Sequence, residues 1–102
     1  MYIILWEYIV RVGQEPVFEN VYGSTGDWAQ LFRQSDGYLG TDLVRDSNIS
    51  RRYITIDRWV TFEAYNLFQE QYHEAYEELD ARCQSLTEHE KLIARGEMAS
   101  SM

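Results

Sequence analysis

Trp6, Tyr8, Tyr22, Trp28, Tyr53, Trp59, Tyr65, Phe68, Tyr72 and Tyr76 are mostly Tyr and Trp, side chains that join an apolar body to a polar tip. Such a set can line a cleft for a flat aromatic ligand and orient it by phenol and indole hydrogen bonds. Packing of a core and of a dimer would use the same side chains, and both readings stay open here. Asp57 lies in the run Tyr53 to Trp59. A buried acid at that position, its pKa raised by desolvation, would be placed to take a proton from a phenol; the alternative is a salt-bridged structural residue. Adjacent strand residues point to opposite faces, so Asp57 and Arg58 are not expected to pair. His73 stands among Gln71, Glu70 and Glu74, as an exposed helix histidine would, and His89 between Glu88 and Glu90. Two lone histidines form no metal constellation. Glu70, Glu74, Glu77 and Glu78 read as a solvated helix face. Cys83 has no second thiol or histidine base beside it and reads as a thiol on a helix.

The chain that must position these residues has 102 residues, with 17 acidic against 9 basic side chains and a formal charge of −8. A chain of this size buries roughly 65% of its unfolded surface, enough for one core and not two. The expected organisation is therefore a single domain over residues 1–97 and a flexible tail over 98–102. The negative surface repels phosphate backbones and anionic lipid, and no basic patch offsets it, so neither nucleic acid nor a membrane surface is an expected partner. The longest apolar stretch, Tyr2 to Val10, contains Glu7 and is far shorter than the roughly 20 residues that span a bilayer. Nor does the N-terminus have a basic region followed by a small-residue cleavage site, which makes a cytoplasmic location the expectation. No dinucleotide fingerprint, phosphate loop or Cys-His cluster occurs, so no cofactor is expected.

Tyr2 to Val12 is β-branched and aromatic almost throughout, the pattern of a strand buried on both faces. Pro16 suits a first helical turn, and a short helix should run to Tyr22. Asp27 and Gln30 have the spacing of a capping box, predicting a second helix over Asp27 to Gln34 with Trp28, Leu31 and Phe32 on its apolar stripe. Gly37 ends it. Tyr38 to Arg45 reads as a strand, Asp46 to Ser50 as a hairpin turn, and Arg51 to Val60 as the returning strand, with Tyr53, Thr55, Asp57 and Trp59 sharing one face. Thr61 is the expected N-cap of one long helix from Phe62 to about Cys83, whose stripe is Tyr65, Phe68, Tyr72, Ala75, Tyr76 and Leu79. A last strand over Leu86 to Glu97 completes β-α-β-β-α-β, a ferredoxin-like α+β fold with a four-stranded antiparallel sheet and helices on one face. The other face is left bare, and a second copy of the chain is its simplest cover. A homodimer is expected.

Trp28-Ala29-Gln30-Leu31-Phe32, Gly37-Tyr38-Leu39-Gly40-Thr41, the run Tyr53 to Trp59 and Phe62-Glu63-Ala64-Tyr65 together resemble the antibiotic biosynthesis monooxygenase domain family. The resemblance covers almost the whole chain and implies a dimeric α/β barrel in which two ferredoxin-like sheets pack face to face. Some members of the family oxidise polycyclic aromatic intermediates with molecular oxygen and neither metal nor flavin; others degrade haem. In the quinone-forming members the implied site is an Asn four residues before the strand-end Trp, that Trp, and a Tyr six residues after it. Thr55, Trp59 and Tyr65 stand there in this chain. Thr55 replaces an amide that offers two hydrogens with a hydroxyl that donates one. In the haem-degrading members the ligand is a late helix histidine paired with a Trp; Phe68 and Glu78 occupy the matching stretch, and His73 comes about a turn and a half too early.

Three functions follow as expectations. One is a cofactor-independent monooxygenase acting on a small phenolic or quinol-type substrate, with Trp59, Tyr65 and Thr55 as the catalytic set and Trp28, Phe68, Tyr72, Asp57 and His73 around the substrate. Another is a non-catalytic dimer binding a small aromatic molecule in the same cleft. The third is a proton-transfer enzyme or isomerase of the same barrel type, which needs Asp57 or His73 inside the cleft.

Overall fold

In the computed structural model, which describes residues 1–99, the sheet is built from β1 (Tyr2–Val10), β2 (Tyr38–Arg45), β3 (Arg52–Trp59) and β4 (Thr87–Glu97). Its order is β2-β3-β1-β4 with every neighbouring pair antiparallel. The helices α1 (Glu15–Tyr22), α2 (Asp27–Phe32), α3 (Phe62–Gln71) and α4 (His73–Cys83) complete the ferredoxin-like arrangement, and a 3₁₀ turn over Gln84–Leu86 leads into β4. None of the helices is long and apolar enough to cross a membrane. Of the expected tail, Met98 is held by its N–H to the Met1 carbonyl at 2.8 Å, whereas residues 100–102 lie outside the described part.

The two-residue period sorts the strands as expected. Tyr53, Thr55, Asp57 and Trp59 face the helices together with Tyr2, Ile4, Tyr8 and Val10, and all eight are buried. Phe18, Trp28, Leu31, Phe32, Phe68, Leu79 and Cys83 close over them from the helices. The opposite face carries Ile3 and Leu5 of β1 and Ile54 and Ile56 of β3, each only partly buried. Ion pairs flank that apolar strip: Arg58 with Asp42 at 2.8 Å at one end, and Arg52 with both Glu7 and Asp46 at the other.

Two local expectations need correction. Asp27 does not cap α2; Gly26 does, in extended backbone, and the Gln30 amide instead donates to the Thr25 carbonyl at 3.0 Å. A Cβ at position 26 would lie 2.3 Å from the Val21 carbonyl oxygen, so the chain can pass there only as glycine. The single long helix is in fact two, because Tyr72 leaves helical geometry (φ −116°, ψ 24°) between α3 and α4. Its hydroxyl donates to the Gln34 carbonyl at 3.3 Å and its ring stacks on Phe68. The three- and four-residue spacing of the apolar stripe runs on through this break, which is why periodicity did not report it. Thr61 caps α3 as expected, accepting from the Ala64 N–H at 3.0 Å.

Candidate active site

β2 contains a bulge: Tyr38 pairs with Trp59 and Gly40 with Arg58, leaving Leu39 as an extra residue. Gly40 takes φ +144°, a region L side chains rarely adopt, and this turns the strand so that Tyr38 and Thr41 both face the helices. In a regular strand, residues three apart would lie on opposite faces. The bulge thereby allows a hydrogen-bond chain across β2 and β3. Thr41 Oγ1 donates to Asp57 Oδ1 at 2.6 Å, and the Tyr38 hydroxyl, 2.5 Å from Thr41 Oγ1, supplies the proton that Thr41 accepts.

Asp57 is 8% exposed. Burial disfavours its charged form and pushes its pKa from 3.8 up to about 6, with the Thr41 hydrogen bond and the Arg58 charge pulling the other way. Arg58 points to the far side of the sheet, where it pairs with Asp42, so Asp57 has no ion-pair partner among the described residues. Among the described residues its second carboxylate oxygen accepts no hydrogen bond and is left for whatever enters beside it.

What lies beside it is a cavity between the sheet and the helices, walled by Trp6, Tyr8, Tyr22, Trp28, Phe32 and Tyr76, with Thr41, Thr55, Asp57, Asp80 and Glu90 supplying its polar groups. About 440 Å³ of non-protein space lies here once the open mouth and adjoining solvent are counted. Only about 40 Å³ is open to the centres of water molecules, room for roughly three waters. That is below the roughly 150 Å³ of a cavity that takes up benzene, so a single aromatic ring, reaching into the open mouth, is the largest group the space admits. The rings form a continuous wall: Tyr8 and Tyr22 centroids are 5.0 Å apart, Tyr22 and Trp28 6.1 Å, Trp28 and Tyr76 5.0 Å. Burial raises the hydroxyl pKa of Tyr8, Tyr22 and Tyr76, so these phenols stay protonated. Glu90 is raised by burial and by the charge of Asp80 across the mouth. The Trp28 indole N–H is buried without an acceptor among the described residues.

Of the residues expected to do chemistry, Thr55, Asp57 and Trp28 are brought together at this cavity. Thr55 Oγ1 lies 3.5 Å from the Tyr8 hydroxyl. Trp59 shares their face but is 0% exposed and packs between Phe32, Phe68, Tyr38 and Tyr65, behind the cavity wall. Tyr65 is half-buried and accepts from the Gln69 amide at 2.9 Å. Phe68 is fully buried in the same packing, and Tyr72 covers it. His73 is on the outside of α4, its side chain 63% exposed and 3.2 Å from Glu77. His89 meets Glu7 at 3.0 Å on the far face of the sheet. No histidine, cysteine or methionine therefore lines the cavity to take an axial position on a haem, and no cluster of metal-ligating side chains occurs among the described residues. The sequence reading did not single out Thr41, Tyr38, Asp80 or Glu90. The bulge that recruits the first two has one signal, a glycine inside a strand pattern, and Gly40 carries it.

No protein-family model matches the sequence, and no curated protein matches it. Solved structures do match it by shape. One is SnoaB, a cofactor-independent oxygenase from Streptomyces nogalater, in a variant with one asparagine replaced by alanine: TM-score 0.80 at 15% identity, over 99% of this chain and 95% of that one. Another is an arginine-to-serine variant of MhuD with two manganese protoporphyrin IX bound per active site, TM-score 0.72 at 19% identity, over 100% and 98% of the two chains. A third is an antibiotic biosynthesis monooxygenase, TM-score 0.66 at 12% identity, over 98% and 100%. The chain has the fold of the antibiotic biosynthesis monooxygenases.

Proposed function

We propose that the cavity beside Asp57 is the active site of a cofactor-independent monooxygenase whose substrate is a one-ring phenol or hydroquinone. The observation that carries this is Asp57 itself, a buried carboxylate with no ion pair among the described residues, one oxygen fixed by Thr41 and the other unpartnered among them beside an aromatic-walled cavity. Asp57 takes the proton of the substrate hydroxyl, and the electron-rich phenolate passes one electron to molecular oxygen. The ring radical and superoxide then combine, forming a C–O bond at a ring carbon ortho or para to the oxygen. The peroxide takes the proton back from Asp57. Cleavage of the O–O bond and loss of the ring hydrogen release water and leave a carbonyl, so one atom of O₂ ends in the quinone and the other in water. The substrate supplies all the electrons, which is why no cofactor is needed.

Thr55 donates to the oxyanion as it forms, in the place the asparagine would hold. Trp28 and the tyrosines orient the ring. Trp59, Tyr65, Phe68 and Tyr72 hold that wall from behind, so Trp59 and Tyr65 act by positioning, and His73 lies outside the site. A second copy covers the open sheet face, where Ile3, Leu5, Ile54 and Ile56 are only partly buried between ion pairs. A proton-transfer enzyme shares the same base and is favoured by the same observation.

The two separate on oxygen. Incubated under ¹⁸O₂ with a panel of one-ring hydroquinones and phenols, the protein should consume oxygen and place one labelled atom in the product and one in water. Absence of oxygen uptake across the panel, with the dimer intact by light scattering, would overturn the oxygenase function, and isomerised substrate formed without oxygen would establish the proton-transfer one.

A further inference from the structure

The cavity is unevenly charged. Asp57, Asp80 and Glu90 line it, and among the described residues no Lys, Arg or His does. Asp80 of α4 and Glu90 of β4 also line the adjoining surface depression with Cys83, Gln84, Thr87 and Glu88, which places these two carboxylates at the mouth. The cross-strand pairing of Glu90 with Tyr8 turns Glu90 to the helix side of the sheet, toward Asp80. His89, which also borders that depression, is engaged by Glu7. Deeper in, a second and independent feature points the same way: Asp57, nine-tenths buried, leaves one carboxylate oxygen unpartnered at the cavity. The walls are aromatic, with Trp6, Tyr8, Tyr22, Trp28 and Tyr76 among them, and aromatic rings attract cations to their faces.

We propose that the ligand carries a protonated amine, seated between Asp80 and Glu90 at the mouth with its aromatic ring among the tryptophans and tyrosines, so that the substrate class is a phenolic amine. This rests on the cavity being the ligand site, as proposed above. It also supplies something that function lacks. A phenolate formed beside protonated Asp57 and the carboxylates of Asp80 and Glu90 meets no positive group among the described residues that line the cavity, and the ammonium of the substrate provides one. Anionic phenols are repelled by the same carboxylates, and the net charge of −8 draws cations toward the surface in general.

Calorimetric titration of the intact protein with three phenols of similar size tests this: tyramine (cationic), 4-ethylphenol (neutral) and 4-hydroxyphenylacetate (anionic). Tyramine should bind about tenfold or more tighter than 4-ethylphenol, 4-hydroxyphenylacetate weaker than both, and the preference should shrink as salt is added. In an Asp80→Asn/Glu90→Gln double variant, tyramine should fall to the level of 4-ethylphenol while 4-ethylphenol binds as before. Equal binding of tyramine and 4-ethylphenol, a preference that survives the double variant, or no binding of tyramine would each overturn the proposal. Oxygen uptake is read separately: a cation preference without uptake counts against the oxygenase and leaves the amine site standing, whereas uptake with neutral phenols alone does the reverse.

Discussion

Replacing Asp57 by Asn should make the protein more stable at neutral pH while removing its proposed activity. The carboxyl is held in a cavity wall with no cation, and burial lifts its pKa from 3.8 to about 6. Between those values the folded state binds a proton that the unfolded chain releases, so stability is highest at low pH, falls as pH climbs through the window, and is lowest above about pH 6. The shift of about two pH units corresponds to roughly 3 kcal/mol at pH 7.5 and about 0.5 kcal/mol at pH 4. An asparagine keeps the acceptor for Thr41 but adds an amide that must find a partner, at a cost of about 1–2 kcal/mol. A net gain of about 1–2 kcal/mol is therefore expected at pH 7.5, and no gain at pH 4. Urea denaturation of both proteins at the two pH values reads this directly, since the remaining carboxylates titrate alike in each. A variant less stable than wild type at pH 7.5, or equally affected at both pH values, would refute the reasoning that the carboxylate is buried unpaired.

Thr41→Val removes the hydrogen bond that stabilises the ionised form, so the pKa of Asp57, followed by carbon NMR of the labelled carboxyl, should rise further; an unchanged value would mean that Thr41 does not hold it. Thr61→Ala strips the cap of α3 and should cost about 1 kcal/mol in urea titration, with no change in ligand binding. Trp59→Phe deletes an indole whose N–H is buried without an acceptor among the described residues. It should lower the melting temperature while keeping oxygen uptake within a few-fold of wild type; a loss of a hundredfold or more with the fold intact would place Trp59 at the reacting atoms. Gly40→Ala, forced into φ +144°, should cost about 1–3 kcal/mol and, by disturbing the bulge, move the pKa of Asp57 as Thr41→Val does.

Strand-scale features were legible because they rest on a period of two: the run Tyr53 to Trp59 has one way to bury its aromatics, and that choice puts Thr55 and Asp57 on the inner face. The polypeptide also announced the cap at Thr61, whose hydroxyl sits directly before an apolar run. Tyr72 was different, since a break in a helix that keeps its apolar spacing alters dihedral angles without altering the pattern. Gly26 displaced Asp27 as cap for a reason found only in space, the approach of the Val21 carbonyl. The candidate site was half legible. Thr55, Asp57 and Trp28 were singled out, but Thr41 and Tyr38 join Asp57 through a bulge that shifts register by one, and Asp80 and Glu90 meet across α4 and β4, ten residues apart in sequence and placed together only by the packing of helix on sheet. Trp59 and Tyr65 were expected at the chemistry on resemblance; Trp59 is buried behind Phe32, and Tyr65 packs against Trp59, so neither lines the cavity.

The most direct test of the central claim, that Asp57 is the base of an oxygen-consuming site, is the pH dependence of oxygen uptake for wild type and Asp57→Asn with a phenol that the wild-type protein turns over. Uptake should rise about tenfold per pH unit below pH 6, level off above it as Asp57 ionises, and fall at least about a hundredfold in the variant at every pH. A wild-type profile flat between pH 4.5 and 8, or a variant that keeps its activity while binding the same phenol, would contradict the claim.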